Sequence, residues 1–306
     1  MPVTVDMATA AAAVIDGAVP ECVWDVGAQL GEGPLWMAQE QALWFVDIKG
    51  RQIHRYHEPT GEKRSWPCPE EVGFIVPLAG GQFVVGLQSG LHRFDPADGS
   101  FTLIAAVDSH LPHNRLNDGF VDAAGRLWFG SMDNHEQKPT GSLFCFDQRG
   151  LRCCDEGYVI TNGPAACPAG VTLYHIDTLQ RLIYAFDLDQ AGELSGRRVF
   201  AQIDKPGAYP DGPTVDAAGF VWVGLFGGWG VRRYPPQGGA PETIDLPVAN
   251  CTKVTFGGDD LRTLYITTAW KGLSAEERAR QPLAGGLFRI RTNTPGLPQN
   301  AVRVTL

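Results

Sequence analysis

Hydrophobic and polar positions along the chain repeat as one unit. A short apolar run, usually opening on an aliphatic–aromatic pair, meets a polar or glycine turn, and a second alternating run follows. The units read LWFVDIKGRQIHRY at 43–56, FVVGLQSGLHRFD at 83–95, LWFGSMD at 127–133 with GSLFCFD at 141–147, and LYHIDTLQRLIYAFD at 173–187. VWVGLFGGWGVRRY follows at 221–234, then LYITTAW at 264–270 with GGLFRI at 285–290. Runs of this length, rich in β-branched and aromatic residues and bounded by Gly, Asp and Pro, predict strands. Successive units start 40, 44, 46, 48 and 43 residues apart, the spacing of a four-stranded blade. The pattern predicts an all-β fold, a six-bladed β-propeller with four-stranded blades, in which closure protects strand edges.

Near-copies support the repeat. VDAAGRLWFG at 121–130 and VDAAGFVWVG at 215–224 lie two units apart, and their Asp-Ala-Ala-Gly portions read as hairpin turns. Asp122 and Asp216 are therefore expected to cap turns, and the Trp of each copy to pack between blades. Residues 21–306 read as one propeller domain and residues 1–20 as an N-terminal extension. Residues 22–26 are expected to complete the last blade together with 302–304. One short helix is expected in SAEERAR at 274–280, where Ser274 and Glu277 have capping-box spacing, overhanging one end of the channel.

Charge narrows the function. The 306 residues carry a formal net charge of -9 without a Lys/Arg block, which argues against a nucleic-acid partner. No apolar stretch approaches the roughly 20 residues that span a bilayer, so no membrane partner is expected either. The apolar run at 10–15 has no basic segment before it and ends at Asp16, unlike a secretory leader. Seven irregularly spaced cysteines fit neither a disulfide framework nor a Cys-rich zinc site. A cytoplasmic protein follows, with Cys153 and Cys154 structural. No GxGxxG opens a helix after a strand, which disfavours a dehydrogenase.

The candidate chemistry lies in the phase of the repeat. Glu32, Asn117, Asn162 and Asp211 each precede a strand-opening pair (Leu43-Trp44, Leu127-Trp128, Leu173-Tyr174, Val221-Trp222) by ten or eleven residues. In a cyclic fold equal phase means equal radius and height, so the four side chains meet on one axis. Two carboxylates and two amide oxygens make a site for one hard divalent cation, Ca²⁺, Mg²⁺ or Mn²⁺, with Zn²⁺ and Fe(II) also able to occupy it. Serines lack a nucleophile elbow. His54, His92 and His175 fall at packing positions, whereas His113 flanks the site loop. Phe74, Tyr209, Phe226 and Trp229 are candidate pocket aromatics.

The set LGEGP at 30–34, HNRLNDG at 113–119, ITNGP at 160–164 and YPDGP at 209–213 resembles the gluconolactonase family that includes regucalcin (senescence marker protein 30). Within it the chain is most similar to bacterial sugar lactonases such as xylonolactonase, over about residues 23–304. The resemblance implies a six-bladed propeller with one axial divalent cation. It implies Glu32, Asn162 and Asp211 as metal ligands, Asp211 also as general base, and Arg115 with Asn117 as the substrate-binding pair. Where relatives often place an acidic residue near a lid, this chain has SMDNHEQ at 131–137, so Asp133 or His135 is expected to meet substrate, with Glu136 nearby. Pro164 stands where many relatives carry an aliphatic residue.

The expected reaction is cation-assisted hydrolysis of a small-molecule sugar aldonolactone, a pentono- or hexonolactone, with Asp211 aiding attack by water. A noncatalytic, metal-stabilised binding propeller and a phosphotriesterase-like hydrolase are the alternatives.

Overall fold

A computed structural model describes residues 12–78 and 80–304. It contains twenty-four strands, and one α-helix among the described residues. Strand β1 is Glu21–Trp24. A first sheet contains β2 (Gly31–Met37), β3 (Ala42–Asp47), β4 (Gln52–His57) and β5 (Glu62–Pro67). A second contains β6 (Val72–Pro77), β7 (Phe83–Leu87), β8 (Gly90–Asp95) and β9 (Ser100–Ala106). A third contains β10 (Asn114–Val121), β11 (Leu127–Asp133), β12 (Gly141–Asp147) and β13 (Gly150–Tyr158). A fourth contains β14 (Thr161–Ala166), β15 (Thr172–Asp177), β16 (Leu182–Leu188) and β17 (Leu194–Gln202). The remaining strands are β18 (Tyr209–Val215), β19 (Val221–Phe226), β20 (Gly230–Tyr234), β21 (Glu242–Asp245), β22 (Asn250–Gly257), β23 (Thr263–Ala269) and β24 (Leu287–Arg291). With β1 they form an eight-stranded sheet. It divides into two antiparallel halves joined by a single parallel bridge between Gly212 and Lys253.

The repeated runs of the sequence are the second and third strands of these sheets. Each sheet begins instead with a less conspicuous strand. Those first strands, β2, β6, β10, β14, β18 and β22, pack one against the next, and β22 packs back on β2. The ring is tied shut because β1 pairs antiparallel with β24, Cys22 opposite Phe288. A chain-distant strand thus covers an edge that would otherwise be exposed.

Part of the expected closure differs. Residue Val302 does not join β1 and β24; it bridges Leu78 and packs beside Val76 and Val121. The terminal segment crosses the far end of the ring, where Leu297, Pro298, Gln299 and Asn300 border a residual void of about 50 Å³. Two polar contacts hold it there: Gln299 Nε2 to Thr255 Oγ1 and Asn300 Nδ2 to the Val121 carbonyl, each 3.2 Å. Residues 1–11 of the expected extension lie outside the described residues. Ala13 is buried near Phe256, and Val14 bridges Thr292.

The aromatic members of the repeated pairs fill the space between sheets. Trp44, Trp128, Tyr174 and Trp222 are buried, each contributing roughly 1.5–3 kcal/mol through lost apolar hydration. Trp44 stacks on Trp66 at 5.0 Å between centroids, and Trp222 meets Phe256 edge-on. The Asp-Ala-Ala-Gly turns behave as expected. The Asp122 carboxylate accepts the Ala124 and Arg126 backbone N–H groups and the Trp128 indole N–H, and Asp216 does the same for Ala218, Phe220 and Trp222. Helix α1 (Ala275–Arg280) has the Ser274–Glu277 capping box. The helix is exposed, and its loop reaches the ring's open mouth only through Lys271. Among the described residues, no helix is long and apolar enough to cross a membrane.

Candidate active site

The residues of common phase occupy the first strands: Glu32 on β2, Asn117 on β10, Asn162 on β14 and Asp211 on β18. Pairing of each strand with its neighbour slips at the same place, between Glu32 and Leu35, Leu116 and Gly119, Asn162 and Ala165, and Pro210 and Pro213. A bulge supplies an extra residue, bends the strand and re-aims a side chain. Here it breaks the alternation that would otherwise decide which side chains face the axis. Glycines make the bulges possible: Gly33 has φ +54°, and Gly212 leaves room for the Lys253 side chain to cross directly over its Cα.

Glu32, Arg115, Asn117, Asn162 and Asp211 line one cavity of about 280 Å³, with Tyr209, Phe226, Met132 and Thr178 among its other walls. All five are buried. Asn162 Nδ2 donates to Thr178 Oγ1 at 2.9 Å, and Thr178 Oγ1 donates to the Pro210 carbonyl at 3.1 Å. This fixes the Asn162 amide, whose Oδ1 accepts from Asn117 Nδ2 at 3.1 Å. Asn117 Oδ1 accepts from Arg115 Nη1 at 2.6 Å. As oriented, Asn117 gives its oxygen to the charged Arg115 guanidinium, whereas the Asn162 oxygen accepts from the Asn117 amide alone among the described residues.

Beneath the cavity Asp118, next to Asn117, forms a buried ion pair with Lys253 of β22. Asp118 also accepts the backbone N–H groups of Gly119 and Gly163, at 2.7 and 2.9 Å. Glu32 and Asp211 have no ion-pair partner among the described residues, and their carboxyl groups lie within hydrogen-bonding reach of each other. Burial, then the neighbouring Asp211 and Asp118 charges, push Glu32 well above the usual carboxylate range. Burial, then the Asp118 charge, push Asp211 up to about 7. Two buried carboxyls this close share protons as a pair. Once both ionise, Lys253 answers Asp118 and Lys271 answers Glu136, so the charges of Glu32 and Asp211 face the Arg115 cation and leave the cavity with one net negative charge.

The donor set fits a divalent cation: two carboxylates without an ion-pair partner among the described residues and an oriented amide oxygen are hard ligands. Among the described residues no group of three His, Cys, Asp or Glu side chains converges in metal-binding geometry. A cation bound here therefore takes amide oxygen and solvent besides the two carboxylates.

The lid expectation is corrected by the geometry. Asp133 is buried and accepts backbone N–H groups from His135, Gln137 and Lys138, so it shapes the turn rather than facing the cavity. His135 packs edge-on against His113, 4.7 Å between centroids, over a neighbouring hollow. Glu136 is the residue that turns inward, at φ +58°, and it pairs with Lys271 across the mouth. Of the expected aromatics, Tyr209 and Phe226 line the cavity. Phe74 is buried against Phe129, and Trp229 is partly exposed elsewhere. His54 and His175 are buried packing residues; burial lowers His54 to about 4 and His175 to about 3.

Thr178, Lys253 and Lys271 were not legible as site residues. Thr178 stands one residue beyond the LYHID run, and Lys253 occupies the bulge of β22, where no turn-like Asn-Gly or Asp-Gly marks the position.

Comparison with known proteins agrees with the geometry. The chain is 36% identical over 278 residues to a 6-deoxy-6-sulfogluconolactonase of Pseudomonas putida, covering 90% of this chain and 96% of that one. It is 34% identical over 273 residues to an L-arabinolactonase of Azospirillum brasilense, covering 88% and 90%. Its fold superposes with TM-score 0.90 on a calcium-binding protein, regucalcin, from Agrobacterium tumefaciens, at 26% identity and with 96% and 100% of the chains covered. The SMP-30/Gluconolactonase/LRE-like region model matches residues 30–270, and the chain belongs to that family of sugar lactonases and their relatives.

Proposed function

We propose that this chain is a divalent-cation-dependent aldonolactonase built on a single six-bladed propeller over residues 21–306. The observation that carries the reading is the convergence of Glu32, Asn162 and Asp211 in one buried cavity with Arg115 and Asn117 beside them. Lactone hydrolysis is the activity named for the sugar-lactonase relatives. The six first strands packed in a closed ring support the blade count. Seven unpaired cysteines fit a reducing, cytoplasmic setting.

Glu32, Asn162 and Asp211 would hold the cation. When bound, it supplies positive charge that polarises the lactone carbonyl and stabilises the negative charge developing on its oxygen. The protein's own residues do the rest. Asp211 accepts the proton of the attacking water, a role its carboxylate can take from its place in the cavity wall. Arg115 orients the polar oxygens of the lactone, and Asn117 locks the Arg115 fork through its 2.6 Å hydrogen bond. Tyr209 and Phe226 offer flat apolar surfaces to the ring's C–H faces. Glu136 and Lys271 meet whatever substituent projects through the mouth, which makes them the residues that set preference among pentono- and hexonolactones.

The test is pH-stat hydrolysis of pentono- and hexonolactones by metal-stripped protein, with Ca²⁺, Mg²⁺, Mn²⁺, Zn²⁺ and Fe(II) added back separately and Asp211→Asn alongside. Hydrolysis that needs a cation and is lost in the variant supports the proposal. Folded protein inactive with every cation overturns it.

A further inference from the structure

Arg115 is held by more than Asn117. Behind the cavity wall lies a compact polar network that spans three sheets. Lys49, in the turn between β3 and β4, donates to both Glu71 carboxylate oxygens at 3.0 Å and to Asn134 Oδ1 at 2.8 Å. Asn134 Nδ2 donates to Glu71 Oε2 at 3.1 Å, and Arg115 Nε donates to Asn134 Oδ1 at 2.9 Å. Glu71 Oε2 lies 3.6 Å from Arg115 Nε. Neither Asn134, Glu71 nor Lys49 lines the cavity.

We propose that Asn134 and Glu71 are positioning residues that hold the Arg115 guanidinium in its working orientation and away from the Glu32–Asp211 pair. The inference rests on the lactonase reading of the same site. A guanidinium is a planar fork, so its usefulness depends on which edge it presents. Nε is committed to Asn134, and Nη1 is committed to the Leu116 carbonyl and Asn117 Oδ1. Among the described residues Nη2 has no protein partner, and it is the group left for a ligand oxygen. Glu71 contributes most to the attraction on the Arg115 charge, while Glu136, Glu32 and Asp211 pull on it from the cavity side. Without Glu71 the balance shifts inward, and the guanidinium is drawn onto the carboxylates that a cation needs. Lys49, no longer neutralised, repels Arg115 in the same direction. Asn134 is the hinge of this balance, because its single Oδ1 accepts from both cations.

The experiment is a double-mutant cycle. Glu71→Gln keeps an acceptor oxygen and removes the charge, and Asn134→Ala removes the acceptor. Each is made alone and in an Arg115→Ala background. Two quantities are measured: Mn²⁺ affinity by calorimetry on metal-stripped protein without substrate, and kcat and KM with the lactone that the wild type hydrolyses fastest. Glu71→Gln is expected to weaken Mn²⁺ binding about tenfold, and both single variants to lower kcat/KM about tenfold, the usual scale for loss of an outer partner. In the Arg115→Ala background neither substitution should change either quantity further, since a residue that acts through Arg115 is silent without it. Additive losses in the cycle, or single variants with wild-type Mn²⁺ affinity and kcat/KM, overturn the proposal. A wild type that neither binds Mn²⁺ nor hydrolyses any lactone overturns the underlying lactonase reading instead. Melting temperature identifies a variant that has merely lost its fold; the cycle is then completed with Asn134→Ser or Glu71→Ala.

Discussion

Replacing Lys253 by Met tests the electrostatic floor of the site. Methionine fills the volume of the lysine stem, so packing around Gly212 changes little while the ammonium disappears. Asp118 is left buried, with only the Gly119 and Gly163 backbone N–H groups as partners, and it adds a third negative charge beside Glu32 and Asp211. Removing one member of a buried pair costs about 3–5 kcal/mol. Unfolding entropy near 2.1 cal/mol/K per residue gives this chain about 0.6 kcal/mol/K, so the melting temperature of the metal-stripped variant should drop by about 5–8 °C. Asp118→Asn in the same molecule should restore most of that loss, because the uncompensated charge is gone. A divalent cation should recover more stability in Lys253→Met than in wild type, since it meets three carboxylates rather than two. Calorimetric melting with chelator and with excess Ca²⁺ reads all three effects. A single variant as stable as wild type in chelator, or a double variant no better than the single, would refute the idea that Lys253 neutralises Asp118.

Three further outcomes follow from the same geometry. Asp211 is pushed up to about 7, above its unfolded value near 4, so it favours the cation-free fold at low pH and that contribution is lost as pH rises through about 7. Metal-stripped protein should therefore melt lower at about pH 8 than at about pH 5.5, whereas cation affinity should rise over the same interval with proton release, measurable by calorimetry in buffers of different ionisation enthalpy. Thr178→Val removes the acceptor that orients the Asn162 amide, and calorimetry should show cation affinity about tenfold weaker with little change in fold. Glu136→Gln breaks the half-exposed pair with Lys271, so melting should shift by less than about 2 °C, while KM values measured across a lactone series should change their order.

How much of this was written in the chain differs between scaffold and site. The alternation in units such as LWFVDIKGRQIHRY specifies strands locally, since burying one face requires a period of two. The Asp-Ala-Ala-Gly turns and the Ser274–Glu277 box are likewise local, satisfied within a few residues. Equal phase in the repeat was enough to select Glu32, Asn117, Asn162 and Asp211, because a cyclic array converts sequence period into radial position. Closure by β1 on β24 was visible as an unpartnered strand near the start of the chain, but the path of Val302 was not. A two-residue bridge to Leu78 leaves no periodic trace.

The remaining features needed the folded ring. Backbone alternation assigns faces, but bulges at the first strands re-aim the side chains, and pairing across strands decides where they fall. Asp133 and Glu136 are both acidic and only three residues apart; the turn consumes the first as a cap and presents the second to the cavity. Lys253 meets Asp118 from 135 residues away, and Lys49, Glu71, Asn134 and Arg115 assemble from three sheets. Such contacts depend on distance in space, which strand and turn propensities do not encode. The sequence by itself determined the repeating strands, their turns and the residue types brought to the axis. Only the tertiary structure decided which oxygens remain free, which charges are answered, and how the arginine beside them is aimed, because those properties come from packing between sheets.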